Sequence, residues 1–191
     1  MLWGGIDEDT ARKNLRNAVY IVKKIFGQEI IISPQRSLLI LNPSIEIKTD
    51  LQDFNSDDEN LFVNSYRGEF LEGFVVKDAE VFDEWLLNRK IYYKNQFIKR
   101  LYLLMHKYIR ENKLSKAIKY GELIIQNDKL EEKAYRTLMK LYCRENLSSK
   151  AIDLYNNLKE ALKNELGIVP DAKTTYIFNE IMDKQRADSS N

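Results

Sequence analysis

A 34-residue repeat is the feature that most constrains this chain. Shifted by 34 positions, ten of the fifteen residues in 104–118 are identical to those in 138–152. This is the period of the tetratricopeptide unit, two antiparallel helices joined by a short turn. The alternative is chance similarity between two charged amphipathic helices, but identical Asn, Ser and Ala at the turn positions disfavour it. The repeat therefore predicts stacked helical hairpins.

Residue types within the repeat fit such a hairpin. Leu104 and Tyr108 lie one helical turn apart on one face. Asn112 falls where the first helix must stop and tolerates a left-handed backbone. Ser115 is a candidate N-cap for the second helix, and the small Ala117 allows close helix packing. The second copy supplies the same types at Leu138, Tyr142, Asn146, Ser149 and Ala151.

Composition agrees with a helical protein. Among 191 residues there are only 7 Gly and 3 Pro, which favours helix over a turn-rich β fold. We predict a mostly α fold: a tetratricopeptide-like helical repeat domain preceded by a partial winged helix of one helix plus a β-hairpin. The formal net charge of +1 does not indicate a partner, since an even total can hide segregated charge.

The single cysteine, Cys143, excludes an internal disulfide framework and fits a reducing compartment. It lies among apolar neighbours, which predicts a buried structural thiol rather than a nucleophile. The sequence shows no signal peptide and no apolar run approaching a membrane span. We therefore expect a cytoplasmic protein.

Near the N-terminus, a helix is predicted over residues 9–26, with Gly27 as its left-handed stop. One side carries an apolar stripe, which consists of Ala11, Leu15, Ala18, Val19, Val22, Ile25 and Phe26. The opposite side is basic and is flanked by Lys23. Its candidate DNA-binding residues are Arg12, Lys13, Arg16, Asn17, Tyr20 and Lys24. A basic helix face is usually only a solvated surface, so its context decides the interpretation.

A hairpin follows this helix directly. Residues 29–33 and 38–42 are short β-rich runs around a turn at 34–37, with Pro34 at its first corner and Arg36 at its tip. In a winged helix, the basic helix enters the major groove and the basic wing tip reaches phosphates or the minor groove. A helix and hairpin that merely pack together are the alternative. We predict DNA contact through the basic face and Arg36.

Downstream, the acidic and turn-rich residues 50–60 suggest a boundary between domains at 1–48 and 49–191. A capping box at 56–59 predicts a short helix through about residue 64. An aromatic–glycine segment follows at 66–74, and Asp78 is a candidate cap for a long helix ending near residue 111. Gly167, Pro170 and Asp171 then predict one helix end and the start of a closing helix.

These segments resemble bacterial transcriptional regulators of the antibiotic-regulatory-protein type, in which a winged-helix DNA-binding domain precedes a bacterial transcriptional activator domain. The resemblance covers nearly the whole chain. Its front part, similar to the recognition-helix segment, lies at residues 2–3, 11–16, 19 and 22–24. Its activator-domain part lies at residues 66–74, 78–80, 84–87 and 165–170. The family's winged helix has strands and a first helix ahead of Leu2, so the resemblance implies a truncated winged helix here.

The resemblance implies binding to double-stranded promoter DNA, once the winged helix is complete, and recruitment of RNA polymerase. The rival hypothesis is a tetratricopeptide-like protein–protein interaction scaffold without DNA binding of its own. An enzyme is not expected. His106 has no metal-ligand partner at usable spacing, and Gly68 and Gly73 do not form a phosphate-binding loop. We predict no catalytic residues, no metal and no cofactor.

The apolar stripe of the predicted helix needs a surface to pack against. A continuous stripe of several hundred Å² is not left bare on a soluble monomer (about 300–600 Å² is already a large patch). Either it folds back on the rest of the chain, or two chains pair their stripes about a two-fold axis. The sequence favours self-association, because residues 50–60 are too polar to cover the apolar stripe.

Overall fold

A computed structural model describes residues 2–26 and 30–189. Within these residues the chain forms eight α-helices and one β-hairpin, in agreement with the mostly α prediction. The elements are α1 Glu8–Phe26, β1 Ile31–Gln35, β2 Leu38–Leu41, α2 Asp50–Phe54, α3 Glu59–Ser65, α4 Glu80–Arg110, α5 Leu114–Asn127, α6 Glu132–Arg144, α7 Ser148–Leu166 and α8 Ala172–Ser189.

Packing divides the chain into two compact units, Met1–Ile91 and Tyr92–Asn191, and α4 contributes residues to both. The division at residues 48 and 49, which the sequence suggested for the domains, stays a prediction.

Helix α1 begins one residue before its predicted start. The Thr10 N–H donates to Asp7 Oδ1 at 2.9 Å, so Asp7 satisfies a free amide of the first turn. This hydrogen bond holds the pKa of the Asp7 carboxyl below its usual value. The helix ends at Phe26 as predicted. The proposed stop, Gly27, lies outside the described residues.

The predicted hairpin is present, with a tighter turn. Strands β1 and β2 pair antiparallel, with Ile32 opposite Ile40 and Gln35 opposite Leu38. The turn is therefore formed by Arg36 and Ser37, and Pro34 lies within β1 rather than at the first corner. The register shifts between Ile32 and Gln35. Such an irregularity accommodates proline, which has no N–H to donate to the partner strand.

Helix α2 lies where the sequence suggested only a boundary loop. Thr49 and Gln52 form a capping box, in which the Gln52 N–H donates to Thr49 Oγ1 and the Thr49 N–H donates to Gln52 Oε1. The N-cap of α3 is Asp58 rather than Ser56, because Asp58 accepts from the N–H groups of residues 60 and 61. The ring of Phe54 lies 5.5 Å from that of the fully buried Phe62.

The aromatic–glycine segment packs on the first turns of α4. Phe70 and Trp85 make an edge contact with centroids 6.1 Å apart, and Phe74 contacts Phe82 at 5.8 Å. Gly73 has a φ of 75°, in the left-handed region that favours glycine. Asp78 was expected to cap α4, which is wrong. It has a φ of 56° in a turn, whereas an N-cap residue needs an extended backbone.

In the second unit the repeat is built as predicted. The end of α4 pairs with α5, where the rings of Tyr108 and Tyr120 stack with centroids 5.6 Å apart. The hairpin α6–α7 repeats this unit, and α8 closes the stack by packing on α6 and α7. Ala117 and Ala151 are completely buried, as their size suggested. The predicted inward face is also buried, at Leu104, Tyr108, Leu138 and Tyr142.

Both repeat turns use one left-handed asparagine. Asn112 and Asn146 have φ angles of 55° and 58°, which confirms their predicted role. The residue after each asparagine donates its N–H to a carbonyl five positions earlier, in the preceding helix. The Lys113 N–H donates to the Tyr108 carbonyl at 2.9 Å, and the Leu147 N–H donates to the Tyr142 carbonyl at 2.8 Å. This is a Schellman ending.

The serine caps predicted for the second helices are wrong. Helices α5 and α7 already begin at Leu114 and Ser148, so Ser115 and Ser149 lie inside the first turn. The Schellman turn leads straight into the next helix, so that Lys113 and Leu147 occupy the N-cap positions, and neither side chain makes a capping hydrogen bond.

The end of the repeat follows the sequence signals closely. Gly167 has a φ of 69° and ends α7. Asp171 Oδ1 accepts from the Thr174 N–H at 2.6 Å and caps α8.

Candidate nucleic-acid interface

The basic face of α1 is open to solvent. Lys13, Arg16, Asn17, Tyr20 and Lys24 are all exposed, and 62% of the Tyr20 surface is accessible. Arg16, Asn17, Tyr20 and Lys24 follow Lys13 by three, four, seven and eleven residues, which keeps all five on one side of the helix. The face thus offers three cations, an amide and a phenol along one helix, the side-chain types that contact phosphates and base edges.

Arg12 differs from the other cations of this face. Its guanidinium donates to Glu8 Oε1, with Nε at 3.0 Å, which forms an ion pair one helical turn apart. Arg16 donates from Nε to the Arg12 carbonyl at 3.3 Å. The charge of Arg12 is therefore partly compensated, and Lys13, Arg16 and Lys24 carry more of the net positive charge of the face.

Arg36 lies at the two-residue turn of the hairpin and is exposed. Strand β1 packs against α1, so the helix and the hairpin belong to one small substructure. Ile30, just before β1, is buried. The predicted arrangement of a basic helix beside an Arg-tipped hairpin is present, while its contact with DNA stays a prediction.

The apolar stripe of α1 has little cover. No residue of α1 is buried, and Leu15 and Phe26 expose 43% and 56% of their surfaces. All four residues of β2 are exposed as well, from Leu38 to Leu41. Helix α1 therefore presents two usable surfaces, a basic face and an apolar stripe.

Two tyrosines and the cysteine of the repeat domain have raised pKa values with structural causes. The hydroxyl of Tyr142 donates to Glu122 at 2.6 Å, and that of Tyr102 donates to Glu131 at 3.0 Å. Burial, followed by the adjacent carboxylate, raises the pKa of each phenol. Cys143 is half-buried rather than buried, and burial raises the pKa of its thiol, which disfavours the nucleophilic thiolate.

Within residues 2–26 and 30–189, no group of three or more His, Cys, Asp and Glu side chains is arranged to hold a metal ion. His106 is exposed, and its ring stacks on Tyr102 with centroids 6.1 Å apart. The same described residues contain no helix with the length and apolar character needed to span a membrane.

Comparison with known proteins gives one family. Residues 63–182 match the bacterial transcriptional activator domain, a range that begins in α3, includes the aromatic–glycine segment and ends in α8. No curated protein matches the chain. The matched family is regulatory rather than enzymatic. With well over half of its residues inside the match, the chain belongs to the bacterial transcriptional activator domain family.

Proposed function

We propose that this chain is a DNA-binding transcriptional regulator. In this proposal, α1 is the recognition helix of a winged helix and the β1–β2 hairpin is its wing. The activator domain contacts proteins, either RNA polymerase or a second copy of the chain. Lys13, Arg16, Asn17 and Tyr20 face the major groove, and Arg36 contacts the backbone or the minor groove.

One observation carries the proposal: a transcriptional activator domain is preceded by an exposed basic helix that packs on an Arg-tipped hairpin. Regulatory domains of this kind act at promoters, so a DNA-contacting element in the same chain gives the activator domain its location. The side chains of Lys13, Arg16 and Lys24, which are exposed and form no ion pair with another described residue, suit phosphate contacts.

The test is the salt dependence of binding to a fluorescein-labelled random-sequence duplex of about 30 base pairs, long enough for roughly three helical turns. For each phosphate contact removed, the slope of log K against log salt falls by about 0.9. We expect the double variant Lys13→Ala/Arg16→Ala to lower the slope by about 2.

The matched control is Lys159→Ala/Lys163→Ala, which removes the same charge from exposed positions of α7. Its slope should equal that of the unaltered chain. Unchanged affinity and slope in the α1 variant, or equal losses in both variants, would contradict DNA binding through this face. The rival hypothesis, an interaction scaffold without DNA binding of its own, would then be favoured.

A further inference from the structure

We infer that the activator domain has a docking groove for an acidic peptide segment, formed by α6 and α8. This inference rests on the proposed role of the domain in protein contacts and adds the surface and the chemistry of the partner. The groove, here called the basic groove, is defined by Lys133, Arg136, Lys140, Arg144, Lys173 and Tyr176.

The first observation is a line of cations along α6. Lys133, Arg136, Lys140 and Arg144 follow one another at steps of three or four residues, which places them on one side of the helix. The net charge of +1 hides this segregation.

The repeat extends this side onto α4. The residues 34 positions earlier are Lys99, Tyr102, His106 and Arg110. The two helices are neighbours here, since the Lys133 ammonium lies 4.8 Å from the centre of the Tyr102 ring. Arg144 also donates to Asn112 Oδ1, just beyond the end of α4, at 3.1 Å.

The second observation is a cavity between α6 and α8. It has a volume of about 470 Å³ and is lined by Arg136, Lys140, Ala172, Lys173, Tyr176, Ile177 and Glu180. Apolar surface is mixed with the cations, because Tyr176 exposes 62% of its surface at this site. On the α4 side, Leu103 exposes 63%.

The positive charge available to a partner comes from the lysines of this surface. Arg136 is paired with Asp171 at 2.8 Å and with Glu132 at 4.0 Å, and Glu180 accepts from the Tyr176 hydroxyl at 2.9 Å. Lys140 and Lys173, at the rim of the cavity, are both exposed. The basic groove therefore complements a negatively charged partner.

The shape and chemistry favour a peptide over nucleic acid. A cavity of this size receives one or two apolar side chains, while the surrounding cations pair with flanking carboxylates. A DNA duplex presents a regular phosphate surface and has no apolar side chain for the space beside Tyr176 and Ile177. Helical repeats also bind extended partners along their stacked faces.

The experiment uses the full chain and a fluorescein-labelled peptide of about twelve residues, in which Glu and Asp flank a Phe–Leu pair. Fluorescence anisotropy should show saturable binding. We expect Lys140→Glu/Lys173→Glu to weaken it by at least about tenfold, because like charges replace favourable pairs. The same peptide with Gln and Asn in place of its acids should bind with similarly reduced affinity.

The control variant is Lys159→Glu/Lys163→Glu on α7, which should bind the peptide like the unaltered chain. Circular dichroism checks that both variants fold. Absence of saturable binding, equal losses in both variants, or tighter binding of a labelled duplex that also depends on Lys140 and Lys173 would overturn the inference. If the peptide still binds but the α1 variant leaves the salt dependence of DNA binding unchanged, only the proposed DNA binding is refuted and the basic groove stands.

Discussion

Gly121 of α5 is buried against α6, where a side chain would not fit. A Cβ atom at this position would lie 2.6 Å from Leu138 Cδ2 and 2.8 Å from Leu138 Cγ. Leu138 is completely buried, and the sulfur of Met105 would lie 3.3 Å away on another side. The leucine therefore cannot move aside without disturbing the surrounding core.

We predict that Gly121→Ala destabilises the protein by about 1–3 kcal/mol, the range for overpacking a well-packed core. This runs against helix propensity, which favours Ala over Gly by about 1 kcal/mol. Urea unfolding measures the change. Lys119→Ala, at an exposed position of the same helix, is the control and should stay within about 0.5 kcal/mol. An alanine variant as stable as the unaltered chain would mean that α5 and α6 are not packed this closely.

Individual residues show which features were readable from the sequence. The left-handed Asn112 and Asn146 were predictable because their conformation is a local property of the residue type. The constraint on Gly121 was not, since it comes from Leu138, a residue on another helix. The ion pair of Arg12 with Glu8 could also be expected from the sequence, since the two residues lie four positions apart on one helix.

Among the elements, α8 is joined to α6 by a polar cluster at its start. Thr174 is completely buried, accepts from Arg136 Nη1 at 2.9 Å and donates to Glu132 Oε2 at 2.6 Å. Asp171 completes the cluster through its cap and its ion pair with Arg136. Burial raises the pKa of Asp171, but the Thr174 N–H and the Arg136 guanidinium outweigh it and hold the pKa below its usual 3.8.

A carboxyl whose pKa is lowered on folding stabilises the protein above its unfolded pKa, and this stability is lost as pH falls through the folded value. We predict that Asp171→Asn, which keeps a capping oxygen but removes the charge, costs about 0.5–1 kcal/mol at pH 7. The difference from the unaltered chain should shrink below about pH 4.

Urea unfolding at pH 7 and at low pH tests this dependence, with Asp153→Asn on the exposed side of α7 as the control. A cost for Asp171→Asn that is the same at both pH values would show that the charge of Asp171 does not stabilise the start of α8.

Helix α1 has little cover, since none of its residues is buried. We predict that two chains pair their apolar stripes, which removes Leu15, Val22 and Phe26 from water. Size-exclusion chromatography with light scattering should show a mass that rises with protein concentration. Leu15→Glu should abolish the rise, while Lys13→Glu on the opposite side should not. A strict monomer at high concentration would contradict stripe pairing.

Elements with a strong local signal were predictable from the sequence. The repeat helices and the hairpin follow from periodicity and turn residues. Helix α2 was missed because the acidic residues after Thr49 suggested a loop, although Thr49 and Gln52 carry a capping signature. Pro34 was placed at a turn corner because the register irregularity that admits it into β1 depends on the pairing of both strands.

At the scale of the whole molecule, the family and the repeat architecture could be predicted, but the basic groove could not. Its cations are spread over residues 133–173 and become one surface only when α6 and α8 pack together. The candidate DNA face, by contrast, lies on one helix, so its residues could be listed from helical spacing alone. Stacking of helices thus creates a surface that no single segment reveals.

The central claim, that the chain acts at promoters through α1, is tested most directly in its own host. The measurement is chromatin immunoprecipitation of the tagged chain, followed by sequencing of the bound DNA. We predict discrete peaks upstream of genes, lost in Lys13→Ala/Arg16→Ala and kept in Lys159→Ala/Lys163→Ala. Uniform coverage of the genome, or peaks that persist in the α1 variant at equal protein level, would contradict the account.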